Sequence, residues 1–255
     1  MRIPSYAKIN WSLRITGRRG DGFHDLETVF QTISLHDDLS FRPAERLSLT
    51  CDDPSIPTGE TNLVMRAARA VGAPPVQIEL VKRIPAGGGL GGGSSNAAAT
   101  LFALGDENTD LAAIALALGS DVPFFLFGGT AYATGRGEVL TPMRPMSGIP
   151  LLLVLPEERV LTRDAFARVI RYSQPLGIDA YARGFASFTN DFEEPVFAML
   201  PHLRELKERL LAAGAVHAAM SGSGSTLFGA FATVAARDEA AARFAGVRVE
   251  RAETV

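Results

Sequence analysis

A run of eleven residues, PAGGGLGGGSS at positions 85–95, constrains this chain more than any other stretch. Six of the seven residues at 87–93 are glycine, which tolerates positive φ and lets other groups approach the backbone closely. A strand-like apolar run precedes the loop at 76–84, and an alanine-rich helical run follows it at 96–104. A glycine loop that enters a helix presents backbone N–H groups at the positive end of the helix dipole. The sequence therefore predicts a phosphate site here.

Three familiar roles of glycine-rich segments fit this loop less well. A flexible glycine-serine linker would not lie between two strongly patterned segments. A Walker loop requires a lysine after the glycines, and none follows here. The dinucleotide-binding pattern is met by Gly87, Gly89 and Gly92, but nearly any glycine pattern matches such a run. The next helix also leads to another helix and not to a parallel strand. A further scheme for such a loop is a kinase whose glycine loop runs into a helix and whose catalytic groups come from other segments.

Composition limits the class of protein. A chain of 255 residues with 47% apolar side chains suits one large domain or two small ones. The net charge of −3, without a long basic run, does not indicate a nucleic-acid surface. The single cysteine, Cys51, fits a reducing compartment. No apolar run has the length of a membrane span or the position of a signal peptide. We expect a cytoplasmic protein that binds neither nucleic acid nor membranes.

The hydrophobic pattern predicts an α+β chain in two parts. Prolines and a glycine interrupt the pattern at 142–150, and we place the boundary between domains 1–145 and 146–255 there. The first part shows strand patterns at 8–15, 26–35, 39–42, 47–51, 76–84 and 132–140, with helical patterns from 62, at 96–104 and at 110–118. The second part has the order β-α-α-α-β-β-α-β, including helical patterns at 162–173 and 201–213.

Three polar features, one of them a pair of residues, each allow two interpretations. Alternation at 8–15 places Lys8 and Asn10 side by side on one strand face, which is either solvated or part of a site. Asp121 follows a glycine and a serine and precedes Pro123, so it either caps a short helix or presents a carboxylate at a pocket edge. His24, beside Phe23, is either plain surface or part of a pocket for a flat ring.

The glycine loop resembles the phosphate loop of the kinases related to galactokinase, homoserine kinase, mevalonate kinase and phosphomevalonate kinase (GHMP kinases). Five further motifs, spread over nearly the whole chain, are similar to the branch that phosphorylates 4-diphosphocytidyl-2-C-methyl-D-erythritol. These are AKIN at 7–10, DGFH at 21–24, GSDVPFF at 119–125, NDFE at 190–193 and SGSGS at 221–225. Their joint occurrence is more specific than any one of them. Phe23 stands where this branch usually has tyrosine, so a hydroxyl is lost and the ring is kept.

The resemblance implies a fold and a reaction. The fold would be the two-domain GHMP-kinase fold, with an N-terminal ribosomal-protein-S5-like α+β domain and a C-terminal ferredoxin-like domain. The reaction would be phosphorylation of the substrate's 2-hydroxyl by ATP with Mg²⁺, in the mevalonate-independent route to isoprenoid precursors. A related kinase for another small alcohol, such as mevalonate or homoserine, is the alternative. Phe23 and His24 argue against it, because a substrate without a base gives them nothing to hold.

The resemblance also implies roles for individual residues. Asp121 would be the general base, and Lys8 would keep it ionised. Substrate would contact Asn10, Phe23, His24 and Phe166, and also the turn of Gly222, Ser223 and Gly224. ATP would bind the loop formed by Pro85, Ala86, Gly87, Gly88, Gly89, Leu90, Gly91, Gly92, Gly93, Ser94 and Ser95. The sequence assigns no metal ligand, and it fits a monomer or a homodimer.

Overall fold

The computed structural model describes all 255 residues, which form two compact units. The first unit contains Met1–Ala7, Leu35–Ala86 and Gly91–Gly128, and the second contains Lys8–Ser34, Gly87–Leu90 and Gly129–Val255. Two long strands, β1 (Arg2–Arg18) and β2 (His24–Pro43), contribute residues to both units. The domain boundary at 145/146 stays a prediction.

In the first unit, four strand segments, one of them the start of β1, support four helices. The end of β2 runs antiparallel to β4 (Val76–Val81), and β3 (Ser48–Cys51) runs parallel to β4. Strand β4 alternates buried and exposed side chains, which is the period of a strand with one covered face. The helices are α1 (Leu63–Ala70), α2 (Gly92–Leu104), α3 (Leu111–Leu118) and α4 (Val122–Phe127).

The first unit has two apolar clusters. One joins the inward side chains of the strands to α1, with Leu39, Phe41, Ile78 and Leu80 at its centre. The other is built largely from small residues, including Ala67 of α1 and Ala97 and Ala98 of α2. Alanines at the contact let helix backbones approach closely, because their side chains occupy little space between the helices. The start of α2, which carries the end of the glycine loop, is fixed in this way.

The second unit contains the beginning of β2 and a separate four-stranded sheet. The beginning of β2 pairs with β5 (Thr130–Thr134), which pairs with β6 (Val139–Pro142). The separate sheet is antiparallel in the order β10-β7-β9-β8. Its strands are β7 (Pro150–Leu155), β8 (His217–Met220), β9 (Leu227–Ala230) and β10 (Arg248–Glu253). All six residues of β7 are buried, as expected for a central strand.

Five helices and one 3₁₀ turn complete the second unit. They are α5 (Thr162–Phe166), α6 (Ile178–Tyr181), the 3₁₀ turn Phe185–Ser187, α7 (Glu193–Met199), α8 (Pro201–Ala212) and α9 (Val234–Ala241). Helix α8 buries Leu203, Leu206 and Leu210, which are three and four residues apart and so share one face. None of the helices combines the length and apolar character needed to cross a bilayer.

The predicted α+β class is confirmed, while several element bounds were wrong. The strands expected at 26–35 and 39–42 are one continuous strand, β2. The helix expected at 162–173 ends at Phe166, and the strand expected at 132–140 is a hairpin of β5 and β6. The solvated-face interpretation of β1 is also wrong, because Lys8 and Asn10 are both buried.

Candidate active site

The first half of the glycine loop, Gly87–Leu90, lies in the second unit and is held by its carbonyl groups. Thr226 N donates to Gly88 O at 3.3 Å, and Ser221 Oγ donates to Gly89 O at 2.9 Å. Lys8 N donates to Leu90 O at 3.0 Å. The N–H groups of Gly89 and Leu90 donate no hydrogen bond within the protein. The loop is therefore fixed through its acceptors, and these two donors have no acceptor within the protein.

The second half of the loop forms the start of α2 in the first unit. Gly91 is the N-cap residue, with φ of 72°, and no side chain caps the helix. The N–H groups of Gly91, Gly92, Gly93 and Ser94 also have no acceptor in the protein, whereas Ser95 N donates to Gly91 O. Uncapped N–H groups at a helix start favour an anion. This geometry suits a phosphate group.

Lys8 and Asn10 lie side by side on β1, as the alternation predicted. Lys8 is only 3% exposed, and its Nζ donates to Asn10 Oδ1 at 2.6 Å and to Gly89 O at 2.9 Å. Asn10 Nδ2 in turn donates to Thr28 Oγ1 at 2.8 Å, which fixes the orientation of the amide. The lysine is thus bound directly to the glycine loop. Lys8 and Gly89 both belong to the second unit.

The predicted glycine turn at 221–225 packs against the loop. A Cβ at Gly89 would lie 2.0 Å from Ser221 O, and a Cβ at Gly222 would lie 3.3 Å from Lys8 Nζ. Asn190 Nδ2 donates to Met220 O at 2.6 Å and to Gly222 O at 2.8 Å, and so holds the turn from behind. The structure therefore brings the turn together with Lys8 and the loop. The NDFE motif had marked Asn190, but its role was not assigned from sequence.

Asp121 lies in the first unit, at the N-cap position of α4. Pro123 is in the first turn of this helix, as predicted, but the Asp121 side chain makes no capping hydrogen bond. The neighbouring helix α3 differs, because the Asp110 carboxylate accepts from Ala113 N at 3.0 Å. The Asp110 side chain thus has a helix-capping role, whereas the Asp121 side chain does not cap its helix. The pocket-edge interpretation of the Asp121 carboxylate stays a prediction.

The aromatic residues of the predicted base pocket form two pairs in the second unit. The rings of His24 and Phe166 stack with centroids 4.5 Å apart and an angle of 13° between their planes. Two rings at that distance leave no room for a third between them. Phe23 is 49% exposed, and the Arg136 guanidinium lies over its ring at 4.5 Å. Burial, and secondarily Arg18, lowers the pKa of His24, so the ring is neutral and has both a donor and an acceptor near neutral pH.

Behind the loop, the first unit contains a buried polar network that sequence reasoning missed. Asp37 is fully buried, pairs with Lys82, and accepts from the N–H groups of Arg83 and Ile84 at 2.7 and 2.8 Å. Asn96 Nδ2 donates to Asp37 Oδ2 at 2.9 Å. The network fixes the residues on both sides of the loop. Its only sign in the sequence is a charged residue between two strand patterns, which more often marks a solvated turn.

The two serines at the end of the loop have different surroundings. Ser95 Oγ is buried and bonds to Ser5 Oγ at 2.7 Å and to Tyr6 O at 2.6 Å. Ser94 is half-buried, and its hydroxyl has no partner in the protein. Of the two, only Ser94 has a hydroxyl that is not already used inside the protein.

Two family models match the chain. The model of the GHMP kinase N-terminal domain matches residues 62–129, which include the loop, α2 and Asp121. The model of the GHMP kinase C-terminal domain matches residues 173–249, which include Asn190 and the glycine turn. The glycine loop, Asp121 and the glycine turn thus fall within the matched ranges, whereas the candidates on β1, at the start of β2 and in α5 lie outside them.

Relatives and solved structures give the same assignment. The chain is 41% identical to the 4-diphosphocytidyl-2-C-methyl-D-erythritol kinase of Chlorobium phaeobacteroides, over 95% of this chain and 92% of the relative. It is also 41% identical to that of Pelotomaculum thermopropionicum, over 93% and 91%. A crystal structure of 4-(cytidine 5'-diphospho)-2C-methyl-D-erythritol kinase matches with TM-score 0.88 and 37% identity, over 100% and 99% of the two chains. Methanococcus jannaschii mevalonate kinase shares the fold, with TM-score 0.72 at 14% identity, over 100% and 98%. The chain belongs to the 4-diphosphocytidyl-2-C-methyl-D-erythritol kinase family of the GHMP kinases.

Proposed function

We propose that this protein transfers the γ-phosphoryl group of ATP to the 2-hydroxyl of 4-diphosphocytidyl-2-C-methyl-D-erythritol, in the cytoplasm. The observation that carries the proposal is the series of backbone N–H groups at 89–94 that have no acceptor in the protein. Such donors are what phosphoryl transfer requires of a protein, because it depends mainly on positioning and charge stabilisation. Family membership supplies the substrate.

The chemical step moves one group and one proton. The substrate's hydroxyl oxygen bonds to the γ-phosphorus while the bond from that phosphorus to the β–γ bridging oxygen breaks, so ADP leaves. Asp121 accepts the hydroxyl proton as general base, which is consistent with a carboxylate that does not cap its helix. Lys8, which is bonded to the loop carbonyl of Gly89, stabilises negative charge on the transferred group.

Mg²⁺ accompanies ATP in this proposal. The ion prefers oxygen ligands and is held largely by phosphate oxygens, with few protein ligands. Ser94 fits this need, since its hydroxyl lies at the end of the loop and has no protein partner. When bound, the ion neutralises charge on the phosphates. No group of three acidic, histidine or cysteine side chains in the protein is arranged to hold a metal ion.

The cytosine is recognised by the aromatic residues at the start of β2. His24 provides hydrogen bonds to the base, and the exposed ring of Phe23 provides a stacking face. Phe166 closes the pocket beside His24, against which it stacks. Asn10, bonded to Lys8, contacts the methylerythritol part near the reacting hydroxyl.

A coupled ATPase assay tests the substrate. We expect turnover with 4-diphosphocytidyl-2-C-methyl-D-erythritol and none with mevalonate. Turnover with mevalonate alone would favour the related-kinase alternative. No turnover with either would contradict the enzymatic proposal as a whole.

Asp121→Asn tests the base. We expect kcat to fall roughly 10²-fold or more, the range of a lost general base, while the KM for ATP stays within a few-fold. Asp110→Asn is the matched control, because it makes the same charge change at the cap of the neighbouring helix and asparagine caps equally well. Equal kcat in the Asp121→Asn and Asp110→Asn variants would remove Asp121 from the mechanism.

A further inference from the structure

Arg159 lies across the first glycine of the loop. It belongs to the segment between β7 and α5 and is exposed. Its Cδ lies 3.6 Å from the position that a Cβ of Gly87 would take, and its Cγ and Cβ lie at 3.8 and 3.9 Å. Three consecutive carbons of the arginine stem therefore follow the surface of Gly87. Both residues belong to the second unit.

Hydrogen bonds on both sides of Arg159 fix its segment to the glycine turn. Ser225 Oγ donates to the carbonyl of Glu158, the residue before Arg159. Three residues after Arg159, the Thr162 hydroxyl bonds to Ser223 Oγ at 2.9 Å. The turn itself is bonded to the carbonyls of Gly88 and Gly89. The position of the arginine backbone beside the loop is thus determined by the fold and does not depend on the side chain.

The guanidinium of Arg159 has no hydrogen bond, ion pair or aromatic contact within the protein. It offers five N–H donors in a planar arrangement that matches phosphate oxygens. Arg163, four residues further along in α5, differs because its Nε lies 3.5 Å from Asp164 Oδ1. A cation with unused donors, placed on a loop with unused N–H groups, extends the anion site of the loop.

We propose that Arg159 is a phosphate-binding residue of this active site. The inference rests on the proposed function, since it takes the glycine loop as the phosphate site. The ligand chemistry is a chain of phosphate groups, which two molecules in the reaction carry: ATP has a triphosphate and the cytidine substrate has a diphosphate. None of the sequence motifs includes this residue.

Calorimetric titration of Arg159→Gln with AMPPNP and with CDP tests the assignment. We expect the affinity for one of these nucleotides to fall about 10-fold, equivalent to about 1.4 kcal/mol. A fall for AMPPNP identifies the triphosphate as the partner, and a fall for CDP identifies the substrate's diphosphate. Arg163→Gln, with the same charge change four residues away in α5, should leave both affinities within about twofold. Arg159→Lys should recover part of the loss, because it restores the charge without the planar donors.

The proposal is overturned if Arg159→Gln binds both nucleotides as tightly as the wild type. It is also overturned if Arg163→Gln loses as much nucleotide affinity as Arg159→Gln. The loss would then come from removing one positive charge from this part of the protein and not from a contact made by Arg159. Turnover gives a second readout, in which the KM for the affected ligand should rise while kcat changes less. Calorimetry measures binding and not turnover, so the two proposals can fail separately. If the wild-type protein turns over no substrate, the proposed function is refuted. If that protein still binds AMPPNP or CDP, comparison with Arg159→Gln still tests the role of Arg159.

Discussion

At the scale of single residues, Glu27 shows how a buried carboxylate can organise its surroundings. It is 1% exposed and accepts hydrogen bonds from the Tyr181 and Tyr132 hydroxyls at 2.6 and 2.8 Å. It also accepts from the N–H groups of Leu176 and Gly177, both at 2.9 Å. Burial raises the pKa of Glu27, but these hydrogen bonds outweigh it, so the pKa lies below its usual range. Glu27 lies in β2, three residues after His24. Its carboxylate thus joins β2 to β5 and to α6.

Replacement of Glu27 by glutamine should destabilise the protein. The amide NH₂ would face donors that need an acceptor, and a buried donor left without one costs about 1–3 kcal/mol. Urea unfolding at neutral pH measures the change. Glu239→Gln, an exposed glutamate in the same unit, should change stability by less than about 0.5 kcal/mol. If the two variants unfold at the same urea concentration, the Glu27 hydrogen bonds contribute nothing net.

Individual site residues were predictable to different degrees. Alternation correctly put Lys8 beside Asn10, but it could not establish that both are buried, because burial depends on segments far along the chain. The distance from Lys8 to Gly89 is likewise a tertiary fact. Glu27 and Asp37 gave no distinctive signal, since a charged residue in a strand usually marks a solvated face. Motif resemblance, and not local pattern, predicted roles for Asp121 and His24, and these roles stay predictions.

At the scale of elements, the glycine loop and the glycine turn depend on each other. The carbonyl of Ser221 occupies the space that a side chain at Gly89 would need, and Gly89 has φ of 79°. Residues other than glycine rarely adopt that conformation. The loop and the turn can therefore contact one another only if this position has no side chain.

Gly89→Ala should lower both thermal stability and nucleotide affinity. Strain at positive φ adds about 1 kcal/mol, and the clash with Ser221 must displace either the loop or the turn. Differential scanning calorimetry should show a Tm lower by several degrees. The matched control is Gly93→Ala, where the new Cβ would meet Leu63 Cδ1 at an ordinary 3.8 Å and φ is not positive. Equal Tm values for the two variants would contradict the close packing of loop and turn.

Element bounds went wrong where tertiary contacts override local pattern. The polar residues HDD at 36–38 predicted a break between two strands, but β2 continues through them. It can do so because Asp37 finds its partners in Lys82 and in the N–H groups of the segment between β4 and the loop. The helix expected after Thr162 ends early, and Ser173 N bonds instead to Ile15 O of β1. Neither contact is visible from nearby sequence.

At the scale of the whole molecule, chain order and spatial units do not coincide. The loop itself is divided, with Gly87–Leu90 in the second unit and Gly91 onward in the first. Sequence reasoning predicts domains as continuous ranges, because composition changes along the chain are its only signal. The motif resemblance predicted the fold correctly, since the spacing of motifs reflects a family's complete topology. The parallel pairing of β3 with β4 was beyond any local signal.

Stability of the whole protein should fall as the pH drops from about 6.5 to about 4. Burial, with Lys207 as a second cause, lowers the pKa of His217 to about 4, although a bond to the Trp11 backbone opposes this. The folded state therefore holds this imidazole neutral, whereas the unfolded chain binds a proton below about 6.5. Protonation of the unfolded chain therefore lowers the free energy of unfolding by roughly 3 kcal/mol over this interval. Below pH 4 His217 is protonated in both states and causes no further loss of stability.

Urea unfolding followed by circular dichroism at pH 7 and pH 4 measures this loss. His217→Phe should lose less stability over the interval than the wild type, because it has no group to protonate. His202→Phe, which removes a half-exposed histidine, should keep the wild-type fall. If His217→Phe loses as much as the wild type, carboxylates and not His217 dominate the acid sensitivity.

The only tryptophan of the chain, Trp11, is completely buried in the second unit. Its indole is surrounded by the rings of Phe185, Phe188, His217 and Phe228, with centroids 5.1 to 6.1 Å away. Its fluorescence emission therefore comes from one dry, aromatic environment and will shift to longer wavelength when water enters. The protein carries its own optical probe, and loss of structure in the second unit can be followed without attaching any dye.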